Sequence, residues 1–221
     1  MKVCCITNEE DLQQAVDFGA DALGFVGPMP SGTGIVDLAT ARRLIAAVPP
    51  AVASFLLTSA THPDSLVDEA ARTGASVLQI VDRVPVAAYD RLRQALPALR
   101  LVQVVHVEGE ETLAEAAEAA RHVDAILLDS GSRAGPVALL GGTGRIHDWA
   151  VSRRIVETIG KPVILAGGLR PEIVAEAIGV VRPYAVDVCT GLRSADRLDR
   201  GKLRSFMAAV ARASTMHAAA P

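Results

Sequence analysis

The chain has 221 residues, half of them hydrophobic, with a net charge of −3 and 3% aromatic residues. That is enough apolar material for a sizeable core, while the weakly acidic charge and the scarcity of stacking side chains give no basis for binding nucleic acid. There is no apolar run of about 18 residues to span a membrane and no signal-peptide pattern at the start. The three cysteines, two of them adjacent, make no disulfide framework, so the expectation is a cytoplasmic protein with a small-molecule partner.

Eight apolar runs rich in β-branched residues read as strands, at residues 3–6, 22–26, 52–57, 77–81, 101–107, 125–128, 163–166 and 185–188. Amphipathic segments alternate with them. The first follows Thr7, with Glu10 three residues on as a capping box, and carries Leu12, Ala15 and Val16 on one face. The others run over about 38–48, 63–73, 86–96, 110–121, 148–159, 171–181 and 199–212. Gly19, Gly74 and Gly160 stand where helix C-cap glycines belong, and residues 213–221 read as a frayed tail. Strand and helix alternating in this way predict a parallel sheet. Eight units in a chain this short predict one closed (β/α)8 TIM barrel over residues 1–221, first and last strands adjacent. An open doubly wound sheet would more often carry a glycine-rich dinucleotide turn after its first strand; here that position holds Thr7-Asn8-Glu9-Glu10, without glycine.

In such a barrel chemistry collects at the C-terminal ends of the strands. The seventh strand runs into Gly167, Gly168 and then Pro171, which suits the first turn of a helix. The eighth ends in Thr190-Gly191. Loops after the last two strands commonly share one phosphate, so Gly167, Gly168, Thr190 and Gly191 are the candidate phosphate site. The same filter retains Lys2, Cys4 and Cys5 on the first strand, Gln103 and His106 on the fifth, Asp129 on the sixth, and Asp187 and Cys189 on the eighth. Lys2 reads as a strand-start charge. Strand alternation sends one of Cys4 and Cys5 to the barrel axis and the other to the helices. A thiolate near a phosphate is a candidate base. Asp129, behind the apolar run Ile126-Leu127-Leu128, has the surroundings that raise a carboxyl pKa and suit a general acid. The glycine-rich stretch with Gly142, Gly144, Arg145 and His147 reads as a ligand-hugging loop or a tight turn before the helix at Asp148. No cluster has metal-ligand spacing, and no Gly-x-Ser-x-Gly elbow is present.

Six stretches, in order and spread over nearly the whole chain, together resemble the phosphoribosylanthranilate isomerase family. They are Lys2 to Thr7, Gly19 to Phe25, Leu127-Leu128-Asp129, Gly141 to Gly144 with Asp148-Trp149, Ile164 to Leu169, and Val186 to Gly191. The resemblance implies a cofactor-free and metal-free (β/α)8 barrel of tryptophan biosynthesis that performs an Amadori rearrangement of an aminoaldose to an aminoketose. It implies Cys4 as general base, Asp129 as general acid, and a phosphate held by the glycines after strands seven and eight. Asp187, in the last of these stretches, is a further candidate substrate-binding residue. The assembly is expected to be a monomer or homodimer. Departures cluster on the aglycone side. The family's Ser-Pro-Arg after strand two is absent from residues 28–35, Gln79-Ile80-Val81-Asp82 replaces Gln-Leu-His-Gly, and Cys5 replaces a glycine. Arg145 and His147, beside Asp129, are then the candidates to hold an anthranilate carboxylate.

Overall fold

The computed structural model describes residues 1–131 and 147–218. Eight parallel strands close on themselves in sequence order: β1 (Lys2–Val3), β2 (Ala22–Val26), β3 (Ala53–Thr58), β4 (Val77–Ile80), β5 (Arg100–His106), β6 (Ala125–Asp129), β7 (Val163–Leu165) and β8 (Ala185–Val188). The closure pairs Lys2 with Asp187 and Val3 with Val188. Helices α1 (Glu9–Asp17), α2 (Leu38–Ala46), α3 (Pro63–Thr73), α4 (Val86–Ala95), α5 (Thr112–Ala120), α6 (Trp149–Thr158), α7 (Val174–Val181) and α8 (Arg200–Ala218) alternate with the strands. The expected barrel is therefore present. No helix among the described residues is long and apolar enough to cross a membrane.

Strand parity sorts the core into two layers. Ala22, Phe55, Val77, Val102, Leu127 and Ile164 fill the barrel axis. Leu23, Leu56, Leu78, Leu101, Leu128 and Leu165 face the other way, in the cluster that includes the apolar helix residues. Because both faces are buried, these strands read as continuous apolar runs rather than as alternating ones.

Several local expectations are corrected. The cap of α1 is Asn8, whose side chain accepts from the Asp11 amide at 2.8 Å, not Thr7. Pro171 lies in a turn, and α7 begins only at Val174. The tail does not fray at residue 213, since α8 continues to Ala218. After β8 come a short 3-10 helix (Thr190–Leu192) and a two-stranded antiparallel ribbon joining Arg193–Ser194 to Arg197–Leu198, neither of which the apolar pattern announces.

Strand β1 is shorter than expected because Cys5 adopts φ +64°, outside the extended region. The buried Arg193 guanidinium holds this turn. It donates to the carbonyls of Cys5 and, at 3.5 Å, of Cys4, and it also reaches Asp11 at 3.4 Å. Ordinary strand alternation therefore stops at Cys4.

Candidate active site

A cavity opens at the C-terminal end of the barrel, and Cys4, Asp129, Gln79, Asp187, Gly168 and Thr190 all line it. Parity brings Cys4 to the axis, two residues after Lys2. Its partner in sequence does not point to the helices as alternation demands. The positive φ turns Cys5 back, so both cysteines line the cavity and Cys5 bonds to Cys189. One disulfide thus exists in a chain whose cysteine pattern suggested none, and Cys4 is left as the free thiol. The family's glycine at this position suits the left-handed turn, and here a bonded cysteine occupies it.

The disulfide ties the end of β1 to the residue before Thr190, with 184 residues between its ends. Loss of a bond that closes so long a loop costs about 2–4 kcal/mol. Cys189→Ser should therefore unfold at clearly lower denaturant than the parent under non-reducing conditions, and the parent should fall to the same midpoint in reductant. Coincident curves with and without reductant would refute the bond's contribution.

Electrostatics differ sharply across the cavity. Burial pushes the Cys4 thiol up, Lys2 pulls it partly back, and it settles at about 11. Desolvation also raises Asp129, against the Ser130 amide that donates to its Oδ1 at 2.7 Å, to about 6. Asp129 therefore holds a proton well above the usual carboxylate range. Lys2 is 2% exposed, with Nζ 2.7 Å from Asp187 Oδ2. Burial lowers its pKa, but Asp187 and Cys4 outweigh that and leave it raised. Asp187 Oδ1 and Gln79 Oε1 are buried with no hydrogen-bond partner among the described residues, and both side chains border the cavity. Such groups are costly unless a ligand or water satisfies them. Sequence reading took Lys2 for a strand-start charge, and it noted Gln79 only within a stretch that departs from the family. The available signal was parity: a lysine two residues before a strand-end cysteine shares its face.

The glycines after β7 and β8 have two separate reasons. Gly167 and Gly168 take φ +83° and +63°, where a side chain is strained. At Gly191 a Cβ would collide with the Leu169 carbonyl oxygen, so its absence lets the two loops touch. Gly167, Gly168 and Thr190 line the cavity; Gly191, packed against the Leu169 carbonyl, is not among its lining residues.

His147 is 9% exposed, and its Nε2 lies 2.8 Å from Ser152 Oγ. Burial lowers its pKa to about 4, so the ring is neutral. Gln103 is spent on structure, accepting from Tyr89 Oη at 2.7 Å and donating to the Ile80, Asp82 and Val104 carbonyls. His106 is buried at the end of β5 without bordering the cavity. Gly142, Gly144 and Arg145 lie outside the described residues.

A neutral-leaning carboxyl, a thiol beside an ammonium, and a glycine-built loop pair around one cavity suit acid–base work on a phosphorylated sugar. The family model for N-(5'-phosphoribosyl)anthranilate (PRA) isomerase matches residues 1–209. An N-(5'-phosphoribosyl)anthranilate isomerase of Haloferax volcanii is 39% identical over 211 residues, covering 95% of this chain and 91% of its own. One from Methanocella arvoryzae is 36% identical over 197 residues, covering 89% and 90%. Among solved structures, the phosphoribosyl anthranilate isomerase of Thermotoga maritima superposes with a TM-score of 0.81 at 29% identity, over 96% of this chain and 98% of that one. Another, solved in complex with reduced 1-(o-carboxyphenylamino)-1-deoxyribulose 5-phosphate, gives 0.78 at 27% identity, over 96% and 97%.

Proposed function

The chain belongs to the N-(5'-phosphoribosyl)anthranilate isomerase family, an aldose–ketose isomerase of tryptophan biosynthesis, and from that premise we propose how its own residues divide the work. The observation that carries the reading is one cavity bordered by both Cys4 and Asp129, with the carboxyl's pKa raised to about 6.

The aminoaldose must first open its furanose ring. Asp129, still protonated in roughly a tenth of molecules at pH 7, gives its proton to the ring oxygen as the C1′–O bond breaks. The anilino nitrogen supplies the electron pair, leaving an iminium at C1′. Ionised Cys4 then removes the proton from C2′, and those electrons form the C1′–C2′ double bond while the iminium pair returns to nitrogen. The resulting enolamine tautomerises to the aminoketose. No atom is gained or lost, so the rearrangement needs no net oxidant or reductant. Asp187 Oδ1 and Gln79 Oε1 accept hydrogen bonds from substrate hydroxyl or N–H groups. The loop backbone at Gly167, Gly168 and Gly191 and the Thr190 hydroxyl hold the phosphate, and Gly142 and Gly144 are assigned as further substrate-binding residues.

An anthranilate carboxylate needs a cation or several donors. The loop after β2 contributes Met29, Gly32 and Thr33 to the cavity and no arginine. A neutral His147 hydrogen-bonded to Ser152 is no cation, so Arg145 is the residue assigned to the carboxylate.

The loss of substrate fluorescence on adding the protein to N-(5'-phosphoribosyl)anthranilate tests the whole reading. Turnover is expected, and Arg145→Ala should raise KM about tenfold or more, the scale of a lost charge-assisted contact. Absence of turnover in the parent would overturn the substrate. An unchanged KM in the variant would overturn the carboxylate assignment alone.

A further inference from the structure

Lys2 is among the largest fully buried side chains of the protein. An ammonium so deep is rarely retained without compensation. Its place is built by more than one element. The β1–β8 register sets Lys2 opposite Asp187, and Nζ lies 2.7 Å from Asp187 Oδ2 and 5.2 Å from the Phe55 ring centroid. Cys4 lies on the same axial face two residues on, where the charge of Lys2 acts on its thiol. Gly24 on β2 supplies the room: a Cβ there would sit 2.6 Å from Cys4 Sγ and 3.1 Å from Lys2 Cε. A lysine kept for an ion pair alone has no need of a sulfur neighbour or of a glycine hollowed out for both.

We propose that Lys2 is a positioning residue for the reaction: its ammonium, anchored by Asp187, holds the Cys4 sulfur at the barrel axis and stabilises its ionised form. This rests on the reading of Cys4 as the base, and it adds the group that makes a buried thiol usable as one. An ammonium near a sulfur favours thiolate by direct attraction. Among the described residues, four charged or titratable groups are placed around Cys4. Lys2 comes from β1, Asp187 from β8, Asp129 from β6 across the cavity, and Arg193 reaches the Cys4 carbonyl from beyond the 3-10 helix. Asp187 acts on Cys4 in the opposite sense to Lys2, since its carboxylate disfavours a nearby thiolate.

The opposed signs make a test that does not depend on turnover. Cys4 is the free thiol of the disulfide-intact chain, so uptake of iodoacetamide under non-reducing conditions reports its thiolate, with Cys4→Ser as the unlabelled control. One pKa unit changes the alkylation rate at fixed pH about threefold, because the lost thiolate fraction is partly offset by higher nucleophilicity. At a fixed, mildly alkaline pH, Lys2→Met should label at least about threefold more slowly than the parent and Asp187→Asn at least about threefold faster. Lys2→Arg should stay near the parent rate. A loosened cavity would speed both variants, so rates that move together, or that both stay within about twofold of the parent, overturn the proposal. Should Lys2→Met fail to fold, Lys2→Gln takes its place, slower labelling supporting the assignment and an unchanged or faster rate sinking it. Failure of the base assignment is read separately, from Cys4→Ser retaining turnover.

Discussion

Replacing Asp129 by Asn or Cys4 by Ser is expected to lower kcat by on the order of 10²-fold or more, the usual scale for a proton-transfer group. The pH dependence then identifies which partner each is. On the proposed assignment the productive free enzyme carries a protonated Asp129 and an ionised Cys4. With the carboxyl at about 6 and the thiol at about 11, kcat/KM rises with pH up to the carboxyl value, because Cys4 ionises progressively while Asp129 keeps its proton. Between the two values the gain in thiolate cancels the loss of carboxylic acid, and the profile is flat. Above the thiol value Cys4 is fully ionised and only the loss of acid remains, so the rate falls. In Asp129→Asn the cancelling loss is gone. The residual activity should climb with pH all the way to the thiol value. If it is flat and then falls, Asp129 is the base and Cys4 the acid, the reverse of the assignment. Steady-state rates across the pH range, with circular dichroism to verify folding, make the measurement.

The second large effect is expected at the loops proposed to hold the phosphate. Gly168 stands at φ +63° on the cavity wall. Aspartate and asparagine are the side chains that best tolerate this left-handed conformation, so both Gly168→Asp and Gly168→Asn should fold. They differ only in charge. A carboxylate facing the phosphate costs several kcal/mol in like-charge repulsion, which is roughly a 10²-fold rise in KM. The asparagine variant has nearly the same shape, and its amide is a hydrogen-bond donor, so its KM should rise far less. Titration of inorganic phosphate as a competitive inhibitor should show the same order. Equal Michaelis constants for the two variants and the parent would remove Gly168 from the phosphate site.

Much of the barrel is legible in one dimension. Runs such as Ile126 to Leu128 and Val163 to Leu165 are apolar on both faces, and the helix and strand periods alternate cleanly between them. A parallel sheet between helices follows from that pattern alone. The bounds of α3 and β8 coincide with the expected spans because Pro63 and Gly74 punctuate one and turns flank the other. The grouping of Cys4, Asp129 and the glycine loops was also legible, since strand ends in a closed barrel must converge on one face.

What the chain does at its seam was not. Amino-acid order states the identity of Cys5 but not its positive φ, which depends on Arg193, 188 residues away, holding its carbonyl. Once the backbone turns there, alternation no longer predicts where Cys5 points, and its sulfur meets Cys189 across the β1–β8 closure. The demotion of His147 from cation to neutral, hydrogen-bonded ring likewise needs the burial that only packing creates. By itself the sequence determined the barrel, the order of its elements and the end at which chemistry gathers, because local periodicity and burial on both strand faces are written into neighbouring residues. Tertiary structure alone decided which cysteine stays free, where Lys2 places its charge and how far the Asp129 and Cys4 protons are displaced. Those properties arise from contacts between the two ends of the chain and from the removal of water, and neither exists before the barrel closes.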